Sequence, residues 1–206
     1  MIKRKVKAKK VKTKKRKNPE LESEVQEILS KFGKNIKFKY LAEGTNAETY
    51  YFVIKDSDKL NPGEYVIKLF FRSHLYMDDR VYLKKLSKYG LIPKIYYIDG
   101  NFIIMKYIKG EPLSSIIYHL DNNKIISSLF STVDLNIILN NLKKLINKWH
   151  ELGFTHGDLN LGNILVTNSK NVYLIDPDLD TRLEIFDKHK KSDNNVVSKL
   201  IERVNL

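Results

Sequence analysis

Cysteine is absent from the 206 residues, which excludes a disulfide framework and thiolate catalysis and fits a reducing compartment. Long apolar runs are absent too. A stretch such as Phe102-Ile103-Ile104-Met105 falls far short of the roughly 20 residues that cross a bilayer, so no transmembrane segment is expected. No apolar segment follows the basic N-terminus, which argues against a secretory signal. A cytoplasmic location is expected, or a nuclear one if the source is eukaryotic or viral. Acidic residues are missing from positions 1–17, which hold eleven Lys or Arg. Residues 18–206 then carry 26 basic against 24 acidic residues, so the net charge of +13 describes a tail. The folded body is close to neutral.

With 42% hydrophobic residues, the chain has material for one fair-sized core, or one domain with a tail. Residues 1–17 are too charged and too poor in apolar side chains to fold alone. By counterion release such a run attracts RNA, a ribosome or an anionic surface. A solvated solubility tail is the equal alternative. Asn18-Pro19-Glu20 then reads as a helix start, with Asn as cap, Pro at the first position and acids in the first turn. Leu21, Val25, Ile28 and Leu29 form its apolar face, and Gly33 follows.

Most of the chemistry is concentrated in His156-Gly157-Asp158-Leu159-Asn160-Leu161-Gly162-Asn163 and the strands after it, the second of which ends on Asp176. A loop Asp, an Asn five positions on and an Asp thirteen beyond that suit phosphoryl transfer from a magnesium nucleotide. One carboxylate accepts the acceptor's proton, and an amide with a second carboxylate holds the metal on the phosphates. Upstream, Tyr65-Val66-Ile67-Lys68 alternates as a strand and places Lys68 among apolar neighbours, where it needs an anionic partner. Ser73 to Lys88 reads as a helix whose inward face carries Leu75, Asp79, Tyr82 and Leu86. Strands are expected at Lys94–Ile98 and Phe102–Ile108. Asp134–Leu152 reads as a long amphipathic helix and Asn195–Val204 as a last one. His150 and His156 read as ordering groups.

These stretches resemble the protein-kinase-like superfamily, over residues 36–182. The resemblance implies an α+β, two-lobed fold: a small N-lobe with an antiparallel sheet plus one helix, and a truncated, mainly helical C-lobe. It divides the chain into a basic tail (1–17), an N-terminal helix (18–34), an N-lobe (35–108) and a C-lobe (109–206). It implies ATP and magnesium as cofactors, Asp158 and Lys68 as catalytic residues, and Asn163 and Asp176 as metal ligands. Asp79 matches the helix acid that pairs with the strand lysine. Residues 41–50 are similar to the glycine-rich loop, with Ala42 and Ala47 replacing two of its glycines. Gly44 and Thr45 would cover phosphates, while Thr49, Val66, Met105 and Leu165 would line the adenine pocket. The backbone of Lys106 and Ile108 would bind the base.

The short C-terminal remainder and the His-Gly-Asp loop look closest to compact atypical members: RIO-type kinases, KEOPS-subunit kinases and small bacterial Ser/Thr kinases. Aminoglycoside and choline phosphotransferases share His-Gly-Asp. An ATP-dependent Ser/Thr protein kinase is expected. The alternatives are a small-molecule kinase and a nucleotide-binding scaffold acting through its basic tail. Gly157 stands where many regulated kinases have an arginine that pairs with a phosphate. The loop is therefore expected in working geometry without phosphorylation at Thr181 or Ser192. The alternative is that Arg182 or a nearby lysine takes the arginine's place.

Overall fold

The computed structural model describes residues 18–44, 46–71, 77–121, 132–178 and 185–204. The basic segment 1–17, Thr45, Leu75 with the start of its expected helix, Thr181 and Arg182 lie outside the described residues.

Helix α1 (Pro19–Ser30) begins as its sequence dictates. The Asn18 side chain accepts from the Glu20 N–H at 3.2 Å, Pro19 takes the first turn, and Glu20 and Glu22 sit at the positive end of the helix dipole. Its buried stripe of Val25, Ile28 and Leu29 needs an apolar surface. A five-stranded antiparallel sheet supplies it, built from β1 (Phe38–Glu43), β2 (Ala47–Ile54), β3 (Gly63–Phe70), β4 (Ile95–Asp99) and β5 (Phe102–Lys106). The spatial order is β1-β2-β3-β5-β4.

Strand alternation sorts the side chains into two faces. Tyr50, Phe52, Ile54, Tyr65, Ile67, Leu69, Phe102 and Ile104 pack with α1 into one core. On the other face the register sets Thr49 opposite Lys68, Lys68 opposite Ile103, and Val66 opposite Met105. Helix α2 (Met77–Lys88) lies on this second side, where Leu83 and Leu86 join Ile103 in the larger core.

That larger core continues into the C-lobe. Strand β6 (Gly110–Pro112) and helix α3 (Leu113–Asp121) follow the β5 strand, and neither was expected from the sequence. A three-residue strand carries no alternation to read; β6 exists because it pairs with β7 (Ile164–Thr167), which in turn pairs with β8 (Val172–Leu174). Helix α4 (Thr132–Glu151) buries Ile138, Leu142, Ile146 and Trp149. It stops where Gly153 turns left-handed (φ +77°), with Gly153 N–H donating to His150 O and Phe154 N–H to Trp149 O at 2.9 Å.

Helix α5 (Phe186–Val204) corrects the expectation of a helix starting at Asn195. Its inward face runs from Val197 and Leu200 back through Asp193 and His189 to Phe186. Two polar members interrupt the apolar pattern, so the first half of the helix reads as a solvated segment. The result is the two-lobed α+β architecture expected, a five-stranded antiparallel sheet with its helices above a mainly helical lobe. Among the described residues, no helix is long and apolar enough to cross a membrane.

Candidate active site

Lys68 projects from β3 on the face turned away from α1, and its ammonium meets the Asp176 carboxylate at 2.6 Å. The two residues are 108 positions apart, so this ion pair fastens the five-stranded sheet to the segment after β8. The Lys68 Nζ also lies 5.4 Å from the Phe70 ring centroid. With its side chain 17% exposed, the lysine has the anionic partner that its setting requires.

That partner is not the expected one. Asp79 is half-buried in the first turn of α2 and is engaged in a contact of its own, while the Lys68 ion pair is made with Asp176. The physical reason is reach. Asp is one methylene shorter than Glu, so from α2 it reaches less far toward β3.

The catalytic-loop candidates come together. Asn163 donates its side-chain N–H to Asp158 twice, to the backbone carbonyl at 2.9 Å and to Oδ2 at 3.1 Å. The Asn160 side-chain oxygen accepts from the N–H groups of Gly162 and Asn163, which closes the turn into β7. Asp158 itself is exposed at the loop surface. Asn163's backbone carbonyl accepts from Ile175 N–H at 3.0 Å, so the strand ends that carry Asn163 and Asp176 are held side by side. Asp176 adopts a left-handed backbone (φ +55°), a conformation that Asp tolerates better than most residues.

His156 orders this assembly from beneath. Its ring is buried against Trp149, with centroids 5.6 Å apart, and Nε2 lies 2.9 Å from Ile175 O. A carbonyl only accepts, so Nε2 carries the proton. Burial, the largest influence, lowers the His156 pKa below 6.5 against the opposing pull of the Ile175 hydrogen bond and nearby carboxylates. The residue is a neutral strut. The His156 carbonyl accepts from Asp178 N–H at 2.8 Å, which cross-links the two segments again.

Asp193 on α5 is the functional residue that sequence reasoning missed. It has no exposed surface, and its Oδ2 accepts from the His156 backbone N–H at 2.8 Å and lies 3.3 Å from His150 Nε2. A buried carboxylate this far from water has to be hydrogen-bonded. In the sequence it stands two residues after Lys190-Lys191 and reads as one more surface acid. The usable signal was its spacing of four from Val197 and seven from Leu200, which puts it on the buried stripe.

Gly157 is fixed by packing as well as by its backbone. At φ +75° an added Cβ would lie 2.7 Å from His189 Nδ1 and 2.8 Å from Asp178 Cβ. A side chain there, arginine included, would be strained by the backbone and would push His189 and Asp178 aside.

The remaining nucleotide candidates divide. Thr49, Val66 and Met105 share the sheet face of Lys68. Leu165 is half-buried on β7, and Ile108 is buried just past β5. Lys106 N–H is committed to Lys94 O at 2.8 Å, which leaves its carbonyl as the group able to meet a base. Gly44 N–H is committed to Ala47 O at 2.8 Å, so the amide expected to cover phosphates closes the β1–β2 turn instead.

Comparison with known proteins follows the same lines. Residues 57–181, more than half of the chain, match the family model described as the RIO domain. A probable serine/threonine-protein kinase of Dictyostelium discoideum is 27% identical over 171 residues, 80% of this chain but 24% of its own length. The KEOPS complex subunit Bud32 of Pyrococcus abyssi is 28% identical over 97 residues, 46% of this chain and 39% of its own. The EKC/KEOPS complex subunit bud32 of Dictyostelium discoideum is 34% identical over 95 residues, 43% of this chain and 34% of its own. The chain thus spans well under half the length of these relatives. Among solved structures, the kinase domain of maize sucrose-induced receptor kinase 1 bound to AMP-PNP matches with a TM-score of 0.53. It is 14% identical, over 71% of this chain and 52% of that one, a likeness of fold.

Two outcomes follow from the buried pair beneath the loop. Asp193→Ala leaves the His156 N–H unpaired in the interior, which costs about 1–3 kcal/mol. Asp193→Asn keeps the shape and an acceptor and should recover part of that loss in urea denaturation; equal loss in both would show that the negative charge, not the accepted hydrogen bond, matters. His156 gives a pH dependence. Its folded pKa lies below its unfolded value of 6.5, so the unfolded chain takes up a proton that the folded one refuses. Stability is full above about pH 6.5 and falls as pH drops below it. Urea midpoints between pH 8 and 5 should show this fall in the native chain and less of it in His156→Asn. Parallel curves would contradict the assignment.

Proposed function

The chain belongs to the RIO-domain family, within the atypical protein-kinase-like superfamily, and from that membership we propose an ATP-dependent phosphotransferase acting on Ser or Thr hydroxyls of a protein acceptor. The observation that carries the reading is the 2.6 Å pair of Lys68 and Asp176, set beside the bonded Asp158 and Asn163. It supports the reading because a cation suited to phosphate and a carboxylate suited to a metal stand side by side.

Each group has a task that its chemistry suits. Lys68 steadies the nucleotide phosphates as a point charge. Thr49, Val66, Met105, Ile108 and Leu165 wall an apolar slot for the base, and the Lys106 carbonyl accepts from the base's amino group. Asp158 orients the acceptor hydroxyl and takes its proton as the oxygen bonds to the γ-phosphorus and the bond to the bridging oxygen of ADP breaks. Asn163, by bonding Asp158 through its amide nitrogen, holds that carboxylate in place.

Magnesium fits this set. Asn163 commits its amide nitrogen to Asp158 and so keeps its side-chain oxygen as an acceptor, and Asp176 offers a carboxylate. Hard oxygen donors in this number, completed by phosphate oxygens and water, are what the ion uses. Among the described residues no group of three or more His, Asp or Glu gathers as a metal site by itself. When bound, the ion would neutralise charge on the β- and γ-phosphates.

The D. discoideum relative is described as a probable Ser/Thr kinase, which supports a protein acceptor. So does the exposure of Asp158, since a small alcohol needs a pocket that encloses it. Because Gly157 has no side chain to pair with a phosphate, the loop keeps its geometry without an arginine–phosphate contact, and access of the acceptor sets the rate.

Incubation with γ-labelled ATP, magnesium and a panel of generic proteins tests this reading. Asp158→Asn should lower turnover by roughly 10²–10⁴ while nucleotide binding stays close to that of the native chain. Lys68→Met should cripple turnover by misplacing the phosphates. Phosphatase-treated protein should start without a lag. Full activity in both variants would end the kinase assignment, and transfer confined to small alcohols would redirect it.

A further inference from the structure

A groove of about 930 Å³ opens where the connection from α1 to β1 meets the turn between β2 and β3. Six lysines line it: Lys31, Lys34, Lys37, Lys39, Lys55 and Lys59, all exposed. Against them stand two acids, Asp56 and Asp58, and Lys31 also reaches Glu27 at 3.8 Å. The body outside the tail totals 26 basic and 24 acidic residues. The groove alone therefore holds an excess of four positive charges, and the rest of the body is slightly acidic. Such a concentration in a nearly neutral body calls for a polyanionic partner.

The walls are built rather than loose. Gly33 lies against the Asp56 carbonyl so closely that an added Cβ would stand 3.2 Å from it. Ser57 Oγ accepts from the N–H groups of Lys59 and Leu60, fixing the turn, and Lys59 Nζ sits 5.6 Å from the Phe32 ring centroid. Half-buried Tyr51 adds aromatic surface to the wall, its hydroxyl donating to Glu64 Oε1 at 2.6 Å, while Phe38 turns to the other face of the sheet and packs with the α1 core.

The groove runs along β2 away from the catalytic cleft: Tyr51 stands next to Thr49 on the same face, and Val53 lies four residues beyond Thr49, about 13 Å from it.

We propose that this groove binds a single-stranded RNA segment, independently of phosphoryl transfer. Lysines along a channel with the Tyr51 ring in its wall suit a phosphate backbone with a base stacked on that ring. A concave wall is wrong for a flat bilayer. Asp56 and Asp58 can accept hydrogen bonds from ribose 2′-hydroxyls, donors that the carboxylates of an acidic peptide and the deoxyribose of DNA do not offer at that position.

The test uses the full chain and a labelled 20-nucleotide single-stranded RNA, with the matching DNA, poly-glutamate and phosphatidylserine vesicles as competitors. The triple variant Lys34→Glu, Lys37→Glu, Lys55→Glu should lose at least about tenfold in RNA affinity near 100 mM salt. The slope of log affinity against log salt should fall by about two, from three lost contacts at roughly 0.7 each. A control triple at Lys143, Lys144 and Lys199 changes the net charge equally and should cost less than about threefold. Basic residues elsewhere contribute alike to both variants, so the difference belongs to the groove. Thermal melting verifies folding, and a Lys→Gln version of the groove triple should show a smaller loss of the same kind. Ultraviolet cross-links should map to 31–39 and 51–59. Equal losses in the two triples, cross-links elsewhere, or poly-glutamate, DNA or vesicles outcompeting RNA would overturn the proposal.

Discussion

A carboxylate with no access to water sits under the loop, and the site's geometry hangs from it. Asp193 Oδ2 holds the His156 N–H at 2.8 Å; the His156 ring holds Ile175 O; and Asp176, the next residue, reaches Lys68 in the opposite lobe. Each link is a hydrogen bond or ion pair to a group that would be costly to leave unpaired, since the first members are buried. The constraint therefore runs from the last helix to the third strand. Ile175 N–H to Asn163 O and Asp178 N–H to His156 O close the same frame from the side. Asp158, bonded only to its loop neighbour Asn163 among these groups, is left exposed at the surface.

The two lobes rest on different forces. Around α1 the contact is plain hydrophobic burial, one helix stripe on one sheet face. Between the lobes Leu83, Leu86 and Ile103 continue a common apolar core, and the Lys68–Asp176 pair adds direction to it. Apolar contact is indifferent to small rotations, whereas a 2.6 Å ion pair is not. The polar link thus fixes how the sheet carrying Lys68 faces the loop carrying Asp158.

Much of this was legible in the sequence because it is local. The alternation through Tyr65–Phe71 put Lys68 on the face it occupies, the stripe from Leu135 to Trp149 marked α4, and Asn18-Pro19 marked the start of α1. The loop from His156 to Asn163 carries its own turn chemistry in Asn160. What was not legible depends on distant partners. Asp79 was matched to Lys68 by helix phase and by resemblance, yet the lysine's ion pair is with Asp176, far away in the sequence. Asp193 and His189 sit on the inward stripe of α5 as polar residues, so the helix appeared to start nine positions later than it does. Burial of a carboxylate is visible only once the His156 N–H that it serves is in place. Likewise Gly44 reads as a phosphate cover, but its N–H is consumed by Ala47 O across the turn.

The account rests on Asp176 serving both the lysine and a metal-bearing nucleotide. Calorimetric titration of the full chain with ATP, with magnesium and with EDTA, in the native protein and in Asp176→Asn, tests that most directly. ATP should bind the native chain more tightly with magnesium than without, and the variant should lose that difference. Binding that ignores magnesium in the native chain, or a magnesium dependence that survives in Asp176→Asn, would contradict it.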